Sequence, residues 1–181
     1  MLVLWLPIMI STIAMFVFSY LAWEVLGLHD KDWRQIENED KLMQCIREMD
    51  IPDGNYQLPG GDSAKEMRTE EFQAKFKAGP RAIITLMPEP NMAKNLGLTL
   101  LYHLFCCATF AYLANFALKP GTDPGADFIT VFRFVATISL LTFGAATVLQ
   151  AIWFGTRVAG HVIEAIIKCL IVGLIFASMW P

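Results

Sequence analysis

Charge is scarce in this 181-residue chain: Asp, Glu, Lys and Arg make up 17% of it, against roughly 25% in an average soluble domain. The shortage is uneven, because long stretches carry almost no charge. No basic excess exists. Fourteen Lys and Arg face 17 Asp and Glu for a net charge of −3, so no positive field steers the chain toward nucleic acid. Cysteine is sparse and unpatterned: Cys45, Cys106, Cys107 and Cys169 show neither C-x-x-C nor zinc-type spacing. Three of them lie in apolar runs, where cysteine acts as a small hydrophobe. The adjacent Cys106 and Cys107 point to different faces of a helix, a poor geometry for a disulfide. These shortages exclude a disordered tail, a disulfide-stapled secreted domain and a basic nucleic-acid binder.

Catalytic patterns are missing too. Pro59-Gly60-Gly61-Asp62-Ser63 lacks the lysine and spacing of a phosphate-binding loop. Ser11, Ser19, Ser139 and Ser178 sit in apolar runs with no histidine predicted at their depth, which disfavours a Ser–His pair. His161-x-x-Glu164 has no second element of its kind, so the four-carboxylate di-iron pattern is absent. The sequence therefore predicts no enzyme, no metal and no cofactor.

What remains is apolar. Hydrophobic residues are 55% of the chain and the mean hydropathy is +0.47. Four segments, 2–26, 96–118, 128–154 and 161–180, reach the roughly 20 apolar residues that a transmembrane helix needs. The expected fold is an all-α integral membrane protein: a four-transmembrane-helix bundle with a small α+β insert between helices 1 and 2. Its parts are helix 1 (1–26), the insert (27–95) and helices 2–4 (96–181). The first segment lacks a basic n-region and a small-residue cleavage site, so it reads as a retained anchor and not a signal peptide. The tryptophans support an even number of crossings. Trp5 and Trp180 fall at one interface, Trp23 and Trp153 at the other, as two aromatic belts require.

Orientation follows from basic residues. The 27–95 connection holds Lys31, Arg34, Lys41, Arg47, Lys65, Arg68, Lys75, Lys77, Arg81 and Lys94, and the short turn 155–160 adds Arg157. The other side holds Lys119, with Arg133 inside the third span. The positive-inside rule places 27–95 in the cytoplasm and both termini outside. Within the connection, Asn38 before Glu39-Asp40 predicts a helix to about Met49, with Leu42, Met43, Ile46 and Met49 as its apolar stripe. Ser63 with Glu66 reads as a capping box, and Thr69 before Glu70-Glu71 starts a helix that Gly79-Pro80 stops. Asn55–Leu58 and Arg81–Met87 read as extended pieces able to pair.

Ionisable groups inside spans are costly, and each is a functional candidate. Glu164 and Lys168 are four apart on the last helix, in the favourable order, and His161 shares their face. His161, Glu164 and Lys168 form an intramembrane polar cluster, read either as a neutralised pair that holds the bundle together or as a proton or ion path. His103, two turns into the second span, is an additional candidate ligand, although its depth does not match His161 for a shared haem. Arg133 reads as snorkelling, Gln150 and Asn115 as interhelical hydrogen-bond formers. Gly173-x-x-x-Ala177 and Gly144-Ala145-Ala146 are small-residue surfaces for close helix approach, within the chain or between copies.

The opening Met1–Ile8, His29-Asp-Lys-Asp-Trp33 with Asn38-Glu-Asp40, and Pro52-Asp-Gly-Asn-Tyr56 with Pro59 carry a resemblance, joined by Lys94-Asn95, Val131-Phe-Arg-Phe134 and Trp180-Pro181. Over nearly its whole length the chain resembles an uncharacterised family of small bacterial four-span membrane proteins. The resemblance implies a bacterial inner membrane and nothing catalytic. In that family a histidine often stands near the position of Trp23, and its absence weakens a ligand role for that end of helix 1. The expected function is a non-enzymatic accessory or structural subunit of a membrane assembly, or a small homo-oligomer. Its partners would be the lipid bilayer and other membrane subunits or itself, with no nucleic acid. The alternative is a small ion- or proton-conducting transporter built on the Glu/Lys/His cluster. Protease or an impermeant thiol reagent applied to intact cells is expected to leave residues 27–95 unmodified, and modification there would invert the orientation.

Overall fold

The computed structural model describes residues 2–122 and 125–181; Met1, the first residue of the opening motif, lies outside them. Four helices are long and apolar enough to cross a membrane: α1 (Trp5–Glu24), α4 (Met92–Leu118), α5 (Phe128–Phe154) and α6 (Ala159–Ser178). Two short helices, α2 (Glu39–Glu48) and α3 (Glu70–Ala78), and two strands, β1 (Gly54–Leu58) and β2 (Ala82–Leu86), lie between α1 and α4. The protein is thus mostly helical, with a small two-stranded sheet. The expected span 128–154 coincides with α5, while α4 and α6 begin a few residues earlier than the apolar runs suggest.

Local chemistry accounts for the helix ends. Asp127 has extended backbone, and its carboxylate accepts the Thr130 N–H at 3.0 Å, capping α5. Gly155 ends α5 with φ 62°, a left-handed turn that glycine adopts without a Cβ clash. Pro7 sits in the first turn of α1, where its missing N–H costs little.

The chain divides into two compact units, residues 1–35 with 93–181, and residues 36–92. Residues 27–35, assigned to the insert by sequence, pack with the long helices. In the first unit the Gly121 N–H donates to the Pro181 carbonyl at 3.2 Å, joining the ends of α4 and α6. At the opposite end of α6, residues 28–32 meet Gly160 and His161. The four helices therefore alternate in direction, which puts the two ends of the chain on the same side of the bundle. Their shared core holds Met15, Cys107, Phe110, Val131, Val135, Val172 and Phe176.

α6 packs on both α1 and α5. A Cβ on Gly173 would lie 3.0 Å from Ala136 Cβ and from the Phe132 ring, so glycine sets the α5–α6 spacing there. Gly144 faces Ala165 on the same seam. Both small-residue surfaces seen in the sequence contribute to packing within the chain, although Ala145 and Ala146 stay exposed. Outward, α4 presents Leu101, Tyr102, Phe105, Tyr112 and Phe116, the composition expected of a helix facing acyl chains.

The second unit follows its turn signals. β1 and β2 pair antiparallel with Tyr56 opposite Ile84, and the Thr85 hydroxyl donates to Asn55 Oδ1 at 2.8 Å. The Glu66 N–H donates to Ser63 Oγ while its carboxylate accepts the Asp62 N–H, a near capping box. Thr69 Oγ1 accepts the Phe72 N–H and starts α3. Asn38 stands at the start of α2, but its side chain makes no capping bond. In this unit Pro59 is the one buried residue, and Leu42, Met43 and Met49 of the α2 stripe are exposed.

Replacing Gly173 by Val should lower stability in detergent by about 1–3 kcal/mol, because the added atoms meet a packed seam. Gly97→Ala, with nothing within 4 Å of the new methyl, is the control and should be neutral or stabilising. Equal unfolding midpoints for the two variants would refute this account of the seam.

Candidate functional site

The polar end of the first unit is built by a short loop. After α1 the chain turns twice: the Leu28 N–H donates to the Ala22 carbonyl at 3.2 Å, and the Asp32 N–H to the His29 carbonyl at 2.9 Å. These turns place His29 and Asp32 on the first turn of α6. The approach is close because residue 160 is glycine. A Cβ there would collide with the Leu28 carbonyl, the Asp32 carboxylate and the His29 ring. The freed backbone is used, since the Gly160 N–H donates to Asp32 Oδ1 at 3.4 Å.

Five ionisable side chains then meet in sequence. His161 Nδ1 lies 3.0 Å from Asp32 Oδ2, and His29 Nδ1 lies 3.1 Å from the same oxygen. His29 Nε2 is 3.1 Å from Glu164 Oε2. Glu164 Oε1 accepts from Lys168 Nζ at 2.8 Å and from the Ser19 hydroxyl at 2.9 Å. Trp23 stacks on the His29 ring at 3.9 Å and meets His161 edge-on, while Lys168 Nζ stands over the Phe143 ring at 5.2 Å.

Opposite charges are interleaved: the Glu164 carboxylate lies between Lys168 and His29, and the Asp32 carboxylate between His29 and His161, the arrangement a low-dielectric site tolerates. Asp32 feels opposing influences. Burial, with the side chain 3% exposed, pushes its carboxyl up. Hydrogen bonds from His161, the Gly160 N–H and His29 outweigh this and hold it below the ordinary 3.8.

Of the residues singled out by sequence, Glu164 and Lys168 pair directly. His161 joins them only through Asp32 and His29. His103 is buried on α4 against Tyr102 and Phe143, and its Nδ1 has no hydrogen-bond partner; it is not one of the linked side chains. The sequence assigns no role to Asp32 or His29 and weighs Ser19 only as a nucleophile without a histidine at its depth, whereas in the structure the Ser19 hydroxyl donates to Glu164. The available signal was the i, i+3 spacing of His29 and Asp32 directly after an apolar run. At the Trp23 end of helix 1, where a histidine at that position is absent, His29 folds back and stacks on Trp23.

His29, Asp32 and His161 each offer a ligand atom within 4.8 Å of the others, a group able to hold a metal ion. Beside it opens a recess of about 220 Å³ lined by Asp32, Thr147, Gln150, Thr156, Arg157 and His161, among others. A larger groove of about 470 Å³ along α1, lined by Ile10, Ile13, Val17 and Leu21, is almost wholly apolar and carries no chemistry. Comparison with protein-family models, curated proteins and solved structures finds no match for the chain.

The contribution of Asp32 to docking the 28–32 loop has a defined pH window. Its folded value is lowered, so the contribution is complete above the ordinary 3.8 and is lost as pH falls below that, through the folded value. Trp23 fluorescence should report undocking in that acid range. Asp32→Asn should give the undocked signal already at neutral pH; emission identical to the parent at every pH would remove Asp32 from this role.

Proposed function

We propose that the protein is a non-enzymatic, multi-pass accessory or structural subunit of a bacterial inner-membrane assembly, or a small homo-oligomer. Its termini are periplasmic and the connector after α1 is cytoplasmic. One observation carries this reading: the ionisable side chains close on one another at a single end of the bundle. Beyond Lys168 the interior is mostly apolar, with Met15, Cys107, Phe110, Val131, Val135, Val172 and Phe176 all at most 2% exposed and the hydroxyls of Ser11, Thr12 and Ser139 buried among them. A proton or ion leaving the centre would meet tight packing with no further charged group in it among the described residues. The network thus acts as a latch tying the 28–32 loop and α1 to α6. The exposed Ala145 and Ala146 on α5 suit close approach by another helix. The basic-residue asymmetry supports the orientation, and the family resemblance supports the bacterial membrane.

The conducting alternative rests on a different feature, the unbroken line His161–Asp32–His29–Glu164–Lys168. The two readings separate in one preparation. Purified in mild detergent, the protein should run as a defined oligomer or with a stoichiometric partner, and it should pass no protons in liposomes. A monomer without partners counts against the accessory reading. Proton flux abolished by Glu164→Gln would replace that reading with conduction.

A further inference from the structure

We propose that His29, Asp32 and His161 form a binding site for a divalent first-row transition metal of the zinc class, with its open coordination position facing the Arg157-lined recess. This goes beyond the accessory reading and does not depend on it.

The argument starts with the donor set. Two imidazoles and one carboxylate suit zinc, cobalt or iron(II), and do not suit calcium or magnesium, which prefer oxygen alone. Both Nδ1 atoms converge on one carboxylate oxygen, at 3.0 and 3.1 Å. Ligands about 2.0–2.1 Å from a tetrahedral zinc stand about 3.3 Å apart, so the observed spacings are close to the edges of such a polyhedron.

The surroundings of the donors point the same way. A metal-bound histidine commonly donates its other ring N–H to a carboxylate, which fixes the tautomer and the ring plane. His29 Nε2 does this to Glu164 at 3.1 Å. Glu164 is held in turn by Lys168 and Ser19, and Trp23 clamps the ring face. Asp32 is oriented through its second oxygen by the Gly160 N–H. Glu164 and Lys168 are therefore positioning residues for His29 and not ligands.

Access is one-sided. His29 and Asp32 are enclosed, whereas the His161 side chain is 36% exposed and borders the recess with Asp32. Three protein ligands leave a fourth position for water or a small oxygen ligand, and Thr147, Gln150, Thr156 and Arg157 line the space where it would lie. A metal takes both histidines through Nδ1 free of its proton, which leaves the ring proton of each on Nε2, held by Glu164 in the case of His29.

The test uses the full chain in detergent, stripped with chelator and titrated with Co²⁺. The expected result is saturable binding of one Co²⁺ per chain with visible ligand-field bands, and displacement by Zn²⁺. His161→Gln, at a partly exposed position, should abolish the bands while keeping the helical circular dichroism. Glu164→Gln should keep the stoichiometry and weaken binding by about 10–100-fold, as loss of an orienting partner does. His103→Gln should bind as the parent does. Absence of a saturable site in the parent chain, or bands that survive unchanged in His161→Gln, would overturn the proposal. Neither outcome bears on oligomeric state, so failure here and failure of the accessory reading are distinguishable.

Discussion

The structure turns on the carboxylate of Glu164. A helix apolar enough to cross a membrane cannot keep an isolated charge one turn from its start, because removal from water costs several kcal/mol per ion. Lys168 supplies one counter-charge from the next turn, at 2.8 Å. Glu164 Oε2 is left to a partner from outside the helix, and His29 fills that place. The imidazole then needs an acceptor for its other nitrogen, which Asp32 provides. Each group is present because the previous one would be unsatisfied without it. Removing one member of such a pair is far more damaging than replacing both, since a bare charge is left behind.

This requirement reaches into the backbone. Delivering His29 and Asp32 to α6 demands two tight turns after α1 and a bare Cα at Gly160. Trp23, which by position alone belongs to an interfacial belt, acquires a second task as the stacking surface for His29. The other end of the bundle has no such demands. There the helices meet through Phe110, Phe176 and the valines of α5 and α6, and Gly173 sets how close α5 comes. The linked charged groups thus lie at one end, while the packing toward the other is mostly apolar, with the hydroxyls of Ser11, Thr12 and Ser139 buried in it.

The 36–92 unit obeys a different physics. It is short, nearly every side chain is at least partly exposed, and it is organised by local bonds: the Ser63–Glu66 exchange, the Thr69 cap and the five-residue β pairing. A chain segment of this length buries too little to form a large core. Its order comes from turns and caps, which depend on neighbours a few residues apart. The α2 stripe is the exception, an amphipathic face without a buried counterpart among the described residues.

What could be read from the amino-acid sequence was whatever is local or periodic. Run length located the spans, aromatic and basic residues paired their ends, turn residues delimited α3 and the strands, and i, i+4 spacing joined Glu164 to Lys168. Each of these signals lies within about one helical length of chain. The centre itself could not be read that way. His29 and Asp32 reach α6 across 135 and 129 residues, and no periodicity relates positions so far apart. Whether the Gly173 and Gly144 surfaces would serve this chain or a second copy was likewise open until α5 and α6 were seen against each other. His103 and His161, equal candidates as letters, parted company only in space, because one helix face turned toward Asp32 and the other toward Phe143. Tertiary packing made those choices, since only there do the cost of an unpaired charge and the volume of a side chain meet their actual neighbours.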